Sequence, residues 1–505
     1  MEKVENKSRI FWQKRTLTHL KEMRAEKLAG LFPKKEGWRN VVAHELVEAE
    51  GADVLADILG LPQELREKLY SAALLHDVYK RKEREAFKER GSTGAEETDK
   101  QQGSFIESLG FDEKIAELGS LAGGYALPYF LEDPGAEVLT IKKELPIEDL
   151  IIHYVDDITL GSDLVPLKQR VAYVKETYKE EDEAGMKMFG GRLPSDVQFE
   201  VSRQIEIKLA GLVGVDNSET LPEWIKSKIL ERIELSMLER VVMEAAFEAY
   251  RVYESLGETG KEKAGVNQFG EQRVKGDWEC EEAIINSLKQ AGINARVVSE
   301  EHGTFEIGEN SEYLVTLDGI DGSRQYLSEP NEDRHFGPMM SIFKGLDPKY
   351  DDSLVSFMFD FASGNLFLAI KGAGTYIIDN GKKKRVVLES VKKFGKDLVI
   401  YGDGESKYVP QLVGFPVVTT ASSCADYNNL LTGKARAVSA YTLKQNLELA
   451  CAYRLVTEAG GAIIKIDDGE GLGEERYLEY GQKDHRGVVS AASSELAKEI
   501  YNSGK

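Results

Sequence analysis

The sequence predicts a multidomain protein, an all-α unit followed by an α/β or α+β unit of about 270 residues. Three observations carry this expectation. The chain has 505 residues, about three times a common single-domain length. Its first 180 residues or so read as helix after helix, with strand signals nearly absent. From about residue 295 the texture changes to short β-branched or aromatic segments bounded by Gly, Asp or Asn.

The elements follow in order. Residues 40–59 place Val42, Leu46, Val47, Ala52, Leu55, Ile58 and Leu59 at helical spacing and stop at Gly60. Pro62 opens a helix over 63–76, with Leu65, Leu69, Ala72, Leu74 and Leu75 as its buried side, and Pro146 opens another over 147–159, followed by Gly161. Acid, glycine and proline gather over 179–196, a composition of surface excursions and linkers. Amphipathic segments 197–212 and 221–256 come next, the second long and glutamate-rich. Strands are expected at 297–299, 313–317, 354–359, 366–370, 398–401 and 462–466, with helices at 279–291 and 447–459. The expected division is an all-α metal-binding domain over 1–180, linker and connecting helices over 181–226, and a second domain over 227–505.

Charge narrows the partners. The sum 65 − 87 is −22, with a pI near 5.0, a field that repels nucleic-acid backbones and anionic membranes. A small anionic substrate would need metal ions to bring it in. No apolar run approaches the roughly 20 residues that span a bilayer. The first residues, Met1 to Lys7, mix charges and lead into no apolar segment. Cys280, Cys424 and Cys451 are odd in number and far apart, so they form neither a disulfide framework nor a zinc pattern. The expectation is a cytoplasmic protein.

In the first unit, His44, the pair His76-Asp77, and Asp156 each lie on or at the end of an expected helix. Two imidazoles and two carboxylates suit one divalent transition metal with positions left for water or substrate. Adjacent residues reach one ion only at a helix end or bend, where the run Leu74-Leu75-His76-Asp77-Val78-Tyr79-Lys80 would put them. Over roughly residues 35–175 this resembles the HD metal-dependent phosphohydrolase superfamily, on His44, His76-Asp77 with Lys80, and Asp156 in Tyr-Val-Asp-Asp-Ile. The resemblance implies metal-activated water attacking a phosphate ester, with Mn²⁺, Fe²⁺, Co²⁺ or Mg²⁺ as the ion. Asp157 is the alternative last ligand; Asp156 is preferred because it matches the Ala-Asp-x-Leu pattern of the family. His153 is the one histidine between the His76-Asp77 pair and that position, so a mononuclear site is expected.

In the second unit the acids run Glu271, Asp277, Ser299-Glu300-Glu301, then Leu317-Asp318-Gly319-Ile320-Asp321-Gly322-Ser323, with Glu448 much later, at the start of a helix ending Glu458-Ala459-Gly460-Gly461. Hard oxygen ligands suit Mg²⁺, and the glycines allow a tight backbone path. Over roughly residues 227–500 this resembles the fructose-1,6-bisphosphatase/inositol monophosphatase superfamily. Asp-Gly-Ile-Asp-Gly-Ser is similar to its Asp-Pro-(Ile/Leu)-Asp-Gly-(Thr/Ser), the step of 23 from Asp277 to Glu300 matches inositol monophosphatases, and Asn267 to Glu271 is similar to a fructose-bisphosphatase stretch.

The resemblance implies a layered α-β-α-β-α fold. It implies Glu300, Asp318, Asp321, Glu448 and the Ile320 carbonyl as metal ligands, and Glu301, Glu271 and Asp277 serving further metals or the attacking water. Ser323 would orient that water or contact the phosphate, with Gly322, Ser423 and Lys444 also at the substrate. This chain departs from the family at Gly319, where proline is usual, at Arg324-Gln325-Tyr326, and in about five extra residues within 327–335. Tyr441 stands where inositol monophosphatases hold inositol hydroxyls with a glutamate, and Lys444 favours a bisphosphate.

The expected function is a bifunctional enzyme acting on small phosphorylated metabolites, fructose 1,6-bisphosphate first and inositol monophosphate second, with a homo-oligomer by family habit. The alternatives are a phosphatase regulated by a nucleotide- or metal-binding HD half, and an HD enzyme with a catalytically silent C-terminal half.

Overall fold

The computed structural model describes residues 37–78, 80–91, 101–329, 334–379, 382–390, 399–402, 417–441, 446–482 and 486–503. Two compact units meet in sequence between Arg232 and Ile233.

The first unit is built of helices, among them Gly37–Ile58, Gln63–Ala73, Glu113–Ser120, Ile147–Ile158, Leu167–Thr177 and Pro194–Val213. Ala49, Ala52, Leu55 and Ala56 are the buried stripe of the first, and they join Leu69, Ile115, Phe130, Ile151, Val155, Val201 and Ile205 in one core. Ile147–Ile158 is buried from Asp149 to its end, so it runs through the middle of that core. Gln63–Ala73 ends three residues short of the expected position, and 74–78 are turns that carry His76 and Asp77 off the helix. The all-helical expectation is broken where Gly161, at φ 65, closes a two-residue antiparallel pair between Thr159–Leu160 and Asp163–Leu164. The acid- and glycine-rich stretch 179–196 contains Lys179–Gly185 and the core residue Phe189, and Asp182 there is buried, accepting from the Ser195 amide at 2.8 Å.

In the second unit eight strands form one sheet: β1 Ala295–Ser299, β2 Gly303–Ile307, β3 Tyr313–Asp321, β4 Gly337–Lys344, β5 Ser353–Asp360, β6 Asn365–Ile370, β7 Gly374–Asp379 and β8 Lys382–Val386. Their order is β8-β7-β6-β5-β4-β3-β1-β2, antiparallel except for the parallel pair β1·β3. Five more, β9 Ile400–Gly402, β10 Val417–Val418, β11 Ala437–Tyr441, β12 Ala462–Lys465 and β13 Gly487–Ala491, form a second sheet in the order β10-β9-β11-β13-β12.

The strand period of two sorts neighbours onto opposite faces. Val297, Val315, Met340 and Phe357 pack with Leu238, Val242, Ala249, Cys280 and Ile284 of the helices Leu221–Leu256 and Lys275–Gln290. Val298, Leu314, Met339 and Met358 face the other way, onto helices Ser423–Leu431 and Leu447–Glu458. Those helices also cover Val438, Ile463 and Val488, while Ala437, Ile464 and Val489 turn to the helix Ser494–Ser503. The result is five layers, α-β-α-β-α. Because the strands are covered on both faces, they read as continuous apolar runs.

Candidate metal centres

The parallel pairing of β1 with β3 sets Ser299 opposite Leu317, so Glu300, just past the end of β1, comes beside Asp318 of β3. The β3·β4 ladder is irregular between Asp318 and Asp321, which turns the acids of that segment to different partners. Asn446 starts the helix Leu447–Glu458 from a left-handed conformation, φ 57, with its Nδ2 donating to the Tyr480 carbonyl at 2.6 Å. Glu448 sits in the first turn.

One carboxylate oxygen from each of Glu300, Asp318 and Glu448 lies within 4.8 Å of the others. Asp318 Oδ1 is buried and has no hydrogen-bond partner among the described residues. Burial, then Glu300, Asp277, Asp321 and Glu448, push the Asp318 carboxyl well above the usual carboxylate range. An oxygen-only donor set around an orphaned carboxylate fits a hard cation such as Mg²⁺.

The neighbouring acids are held separately. Asp321 Oδ2 accepts from Ser422 Oγ at 2.7 Å and from the Cys424 amide at 2.6 Å, at the start of the helix that Ser423 opens. Asp277 Oδ1 accepts from the Ile320 amide at 2.8 Å, and Ser323 Oγ lies 3.2 Å from both Asp277 Oδ2 and the Ile320 carbonyl. Burial, then Glu301, Glu300 and Glu281, hold the Asp277 carboxyl well above its usual range. Arg273 Nε donates to Glu301 at 2.6 Å and its guanidinium stacks 4.0 Å over Trp278. Asn267 Nδ2 reaches Glu300 and Glu301 at 3.3 and 3.4 Å. Gly322, at φ 82, caps the short helix Ser323–Leu327. Glu271 is exposed and outside the carboxylate group, and Lys444 lies outside the described residues. Burial pushes the Cys424 thiol up, so this cysteine packs as a neutral side chain.

In the first unit, ligand atoms of His44, Glu48, His76 and Asp156 all lie within 4.8 Å of one another. His44 and Glu48 are one helical turn apart, with His44 Nε2 at 2.7 Å from Glu48 and 3.3 Å from Asp156. His76 Nδ1 is 2.8 Å from the Ala73 carbonyl; that contact assigns the proton to Nδ1 and leaves the Nε2 lone pair facing inward. Burial opposes protonation of His44, but Glu48 and Asp156 raise it to about 11, so the pocket is strongly cation-attracting. Asp77 is outside the group, its Oδ1 3.8 Å from His76 Nε2. Asp157 faces the other way, toward Gln198, Ser202 and His153, whose Nδ1 is 2.9 Å from the Leu121 carbonyl. Arg170 lies 3.7 Å from Asp156, and its Nε is buried without a hydrogen-bond partner among the described residues.

The sequence did not single out Glu48, Arg170, Arg273 or Glu281. Only Glu48 carried a local signal, its i, i+4 spacing from His44; the others meet the site through the fold.

Residues 232–503 match the inositol monophosphatase family. Among solved structures, the extragenic suppressor protein suhB from Bartonella henselae is 18% identical, with a TM-score of 0.42, over 54% of this chain and 98% of that one. The fructose-1,6-bisphosphatase of Leishmania major is 15% identical, with a TM-score of 0.42, over 53% and 93%. The inositol monophosphatase from Anabaena (Nostoc) sp. is 15% identical, with a TM-score of 0.39, over 54% and 96%. No curated protein matches. Since the family match takes in more than half of the 505 residues, the chain belongs to the inositol monophosphatase family and is a metal-dependent phosphatase.

Proposed function

We propose that the C-terminal unit hydrolyses a small sugar or inositol phosphate monoester with Mg²⁺, fructose 1,6-bisphosphate being the first choice of substrate and inositol monophosphate the second. The observation that carries it is the convergence of Glu300, Asp318 and Glu448 around the unpartnered Oδ1 of Asp318. These three would hold the ion, with Asp321 and the Ile320 carbonyl at its edge and Glu271 and Glu301 for a further ion. Bound Mg²⁺ would supply the charge that acidifies the attacking water and neutralises the leaving oxygen.

The chain's own part is proton handling and orientation. Ser323 Oγ stands between Asp277 and the Ile320 carbonyl, so the water's proton passes by Ser323 to Asp277. Burial raises Asp277, which strengthens it as an acceptor for that proton. Gly322, Ser323 and Ser423 would meet the phosphate. Tyr441 in place of the inositol-holding glutamate supports the sugar phosphate as first choice. Three free, buried cysteines suit a reducing, cytoplasmic setting.

The N-terminal cluster supports a second phosphohydrolase site of the HD type, with the Arg170 guanidinium beside Asp156 to receive an anionic oxygen. The alternative is a regulatory module that binds nucleotide or metal without turnover.

The test is phosphate release from fructose 1,6-bisphosphate with Mg²⁺. Release by the wild type that disappears in Asp321→Asn and persists in Asp77→Ala is the expected result. No release from this or from inositol monophosphate would refute the substrate assignment. In the Asp321→Asn protein, a Mn²⁺-dependent hydrolysis of nucleotides that Asp77→Ala removes would assign turnover to the N-terminal unit; no such hydrolysis would leave the regulatory alternative.

A further inference from the structure

We propose that Glu48 is a direct ligand of a divalent transition metal in the N-terminal unit, completing a set of His44, Glu48, His76 and Asp156, with Asp77 beside the ion and not on it. This rests on reading the N-terminal cluster as a metal centre, and it changes the ligand set that the HD resemblance implies.

Four observations lead there. First, the four ligand atoms are mutually within 4.8 Å and Asp77 is outside that group. Second, one helical turn separates His44 from Glu48, so the first helix presents an imidazole and a carboxylate on one face. Third, Glu48 is fully buried, and neither of its oxygens has a hydrogen bond of good geometry among the described residues. Its two close nitrogens do not satisfy it. His76 Nδ1, at 3.0 Å, already donates to Ala73, and His44 Nε2 is shared between Glu48 and Asp156. Fourth, His76 Nε2 is likewise buried and without a hydrogen-bond partner. A buried carboxylate without a well-aligned donor, beside an unpartnered imidazole nitrogen, is a set of groups that a divalent cation would satisfy.

The donor set selects the ion. Two imidazoles with two carboxylates suit Mn²⁺, Fe²⁺, Co²⁺ or Zn²⁺ better than Mg²⁺ or Ca²⁺, which prefer oxygen alone. Four protein ligands also couple the identity of the ion to chemistry. A tetrahedral Zn²⁺ site would be closed, whereas a six-coordinate ion keeps two positions, and Arg170 stands by Asp156 to meet an anion placed there. Asp77 is left for proton transfer.

The experiment uses the full chain carrying Asp318→Asn and Glu448→Gln, which removes two of the three clustered C-terminal carboxylates, and titrates Co²⁺ and Mn²⁺ by calorimetry with the visible spectrum of Co²⁺ as a second readout. Glu48→Gln, close in shape, is expected to weaken binding by about tenfold or more and to alter the Co²⁺ bands, while Asp77→Asn stays within about threefold of the parent. Glu48→Asp, which keeps the charge, covers the case in which the glutamine variant fails to fold by circular dichroism; its expected loss is of the same sign. Parent-like affinity and spectrum in the folded Glu48 variant, or an equal loss in Asp77→Asn, would overturn the ligand assignment. A parent that binds neither ion would instead refute the metal centre itself.

Discussion

At the scale of single residues, Gly319 explains a departure from the family pattern. A Cβ there would meet the Asp277 carbonyl, Glu281 Cγ at 2.6 Å and Asp277 Oδ1 at 2.8 Å. Glu281 occupies that space because its buried carboxylate is claimed by Ser299, by His302 Nδ1 at 2.8 Å and by the Glu301 amide at 3.3 Å. Proline, usual in the family at this position, therefore has no room here. Gly319→Ala and Gly319→Pro are expected to cost about 1–3 kcal/mol from overpacking and to lower kcat by displacing Asp277. Urea unfolding and phosphate release measure the two effects; an alanine variant with unchanged midpoint and rate would contradict this account. Glu301 makes a second residue-scale case: its ion pair with Arg273, 17% and 2% exposed, is shielded enough to fix the carboxylate. Arg273→Gln is expected to raise the Mg²⁺ concentration needed for half-maximal rate more than it changes the rate at saturation.

At the scale of elements, the C-terminal site depends on where three segments begin or end. Parallel pairing sets the end of β1 opposite Leu317 of β3, which is why Glu300 and Asp318 are neighbours. The helix Leu447–Glu458 supplies Glu448 only because Asn446 turns the chain in a left-handed conformation and ties it to Tyr480. Asn446→Ala loses both the tolerance of positive φ and the hydrogen bond, and is expected to destabilise by about 1–2 kcal/mol and to weaken Mg²⁺ activation. Asn446→Gly restores the backbone freedom alone and should recover part of the stability. Thermal unfolding of the two variants decides it: a glycine variant no better than alanine would mean that φ is not the issue.

At the scale of the molecule, the described helices include none long and apolar enough to cross a membrane, and the chain carries a net charge of −22. Concentrated acid matters most where it is buried. Asp277, Asp318 and Asp321 are all raised, in each case first by burial. For a carboxyl whose folded value exceeds its unfolded one, the contribution to stability is complete below about pH 4 and is lost as pH rises through the raised value. Without metal, this cluster should therefore destabilise the fold progressively above that range, and Mg²⁺ should offset the loss. The expected result is a rise in Tm on adding Mg²⁺ that is larger at pH 8 than at pH 5.5, measured against EDTA controls. Equal rises at both pH values would count against a metal site built on these acids.

Local texture was legible in the sequence: where most helices run, where several of the apolar strands lie, and which short spacings bring acids together, as in Asp318 to Ser323. Hydrophobic period and turn chemistry act over neighbours, so they are legible in one dimension. The sequence did not reveal β4, whose Gly337-Pro338-Met339-Met340 start has weak strand propensity, or β8, a run of Lys and Arg suited to a sheet edge. Tertiary structure alone decided that Asp156 and not Asp157 faces the two histidines, that Asp77 stands apart from the four clustered ligand atoms, and that Arg273 captures Glu301. It also decided that Glu448 joins Glu300 and Asp318. These outcomes rest on helix rotation and strand register between segments far apart in sequence, where a shift of one residue turns a side chain to the opposite face.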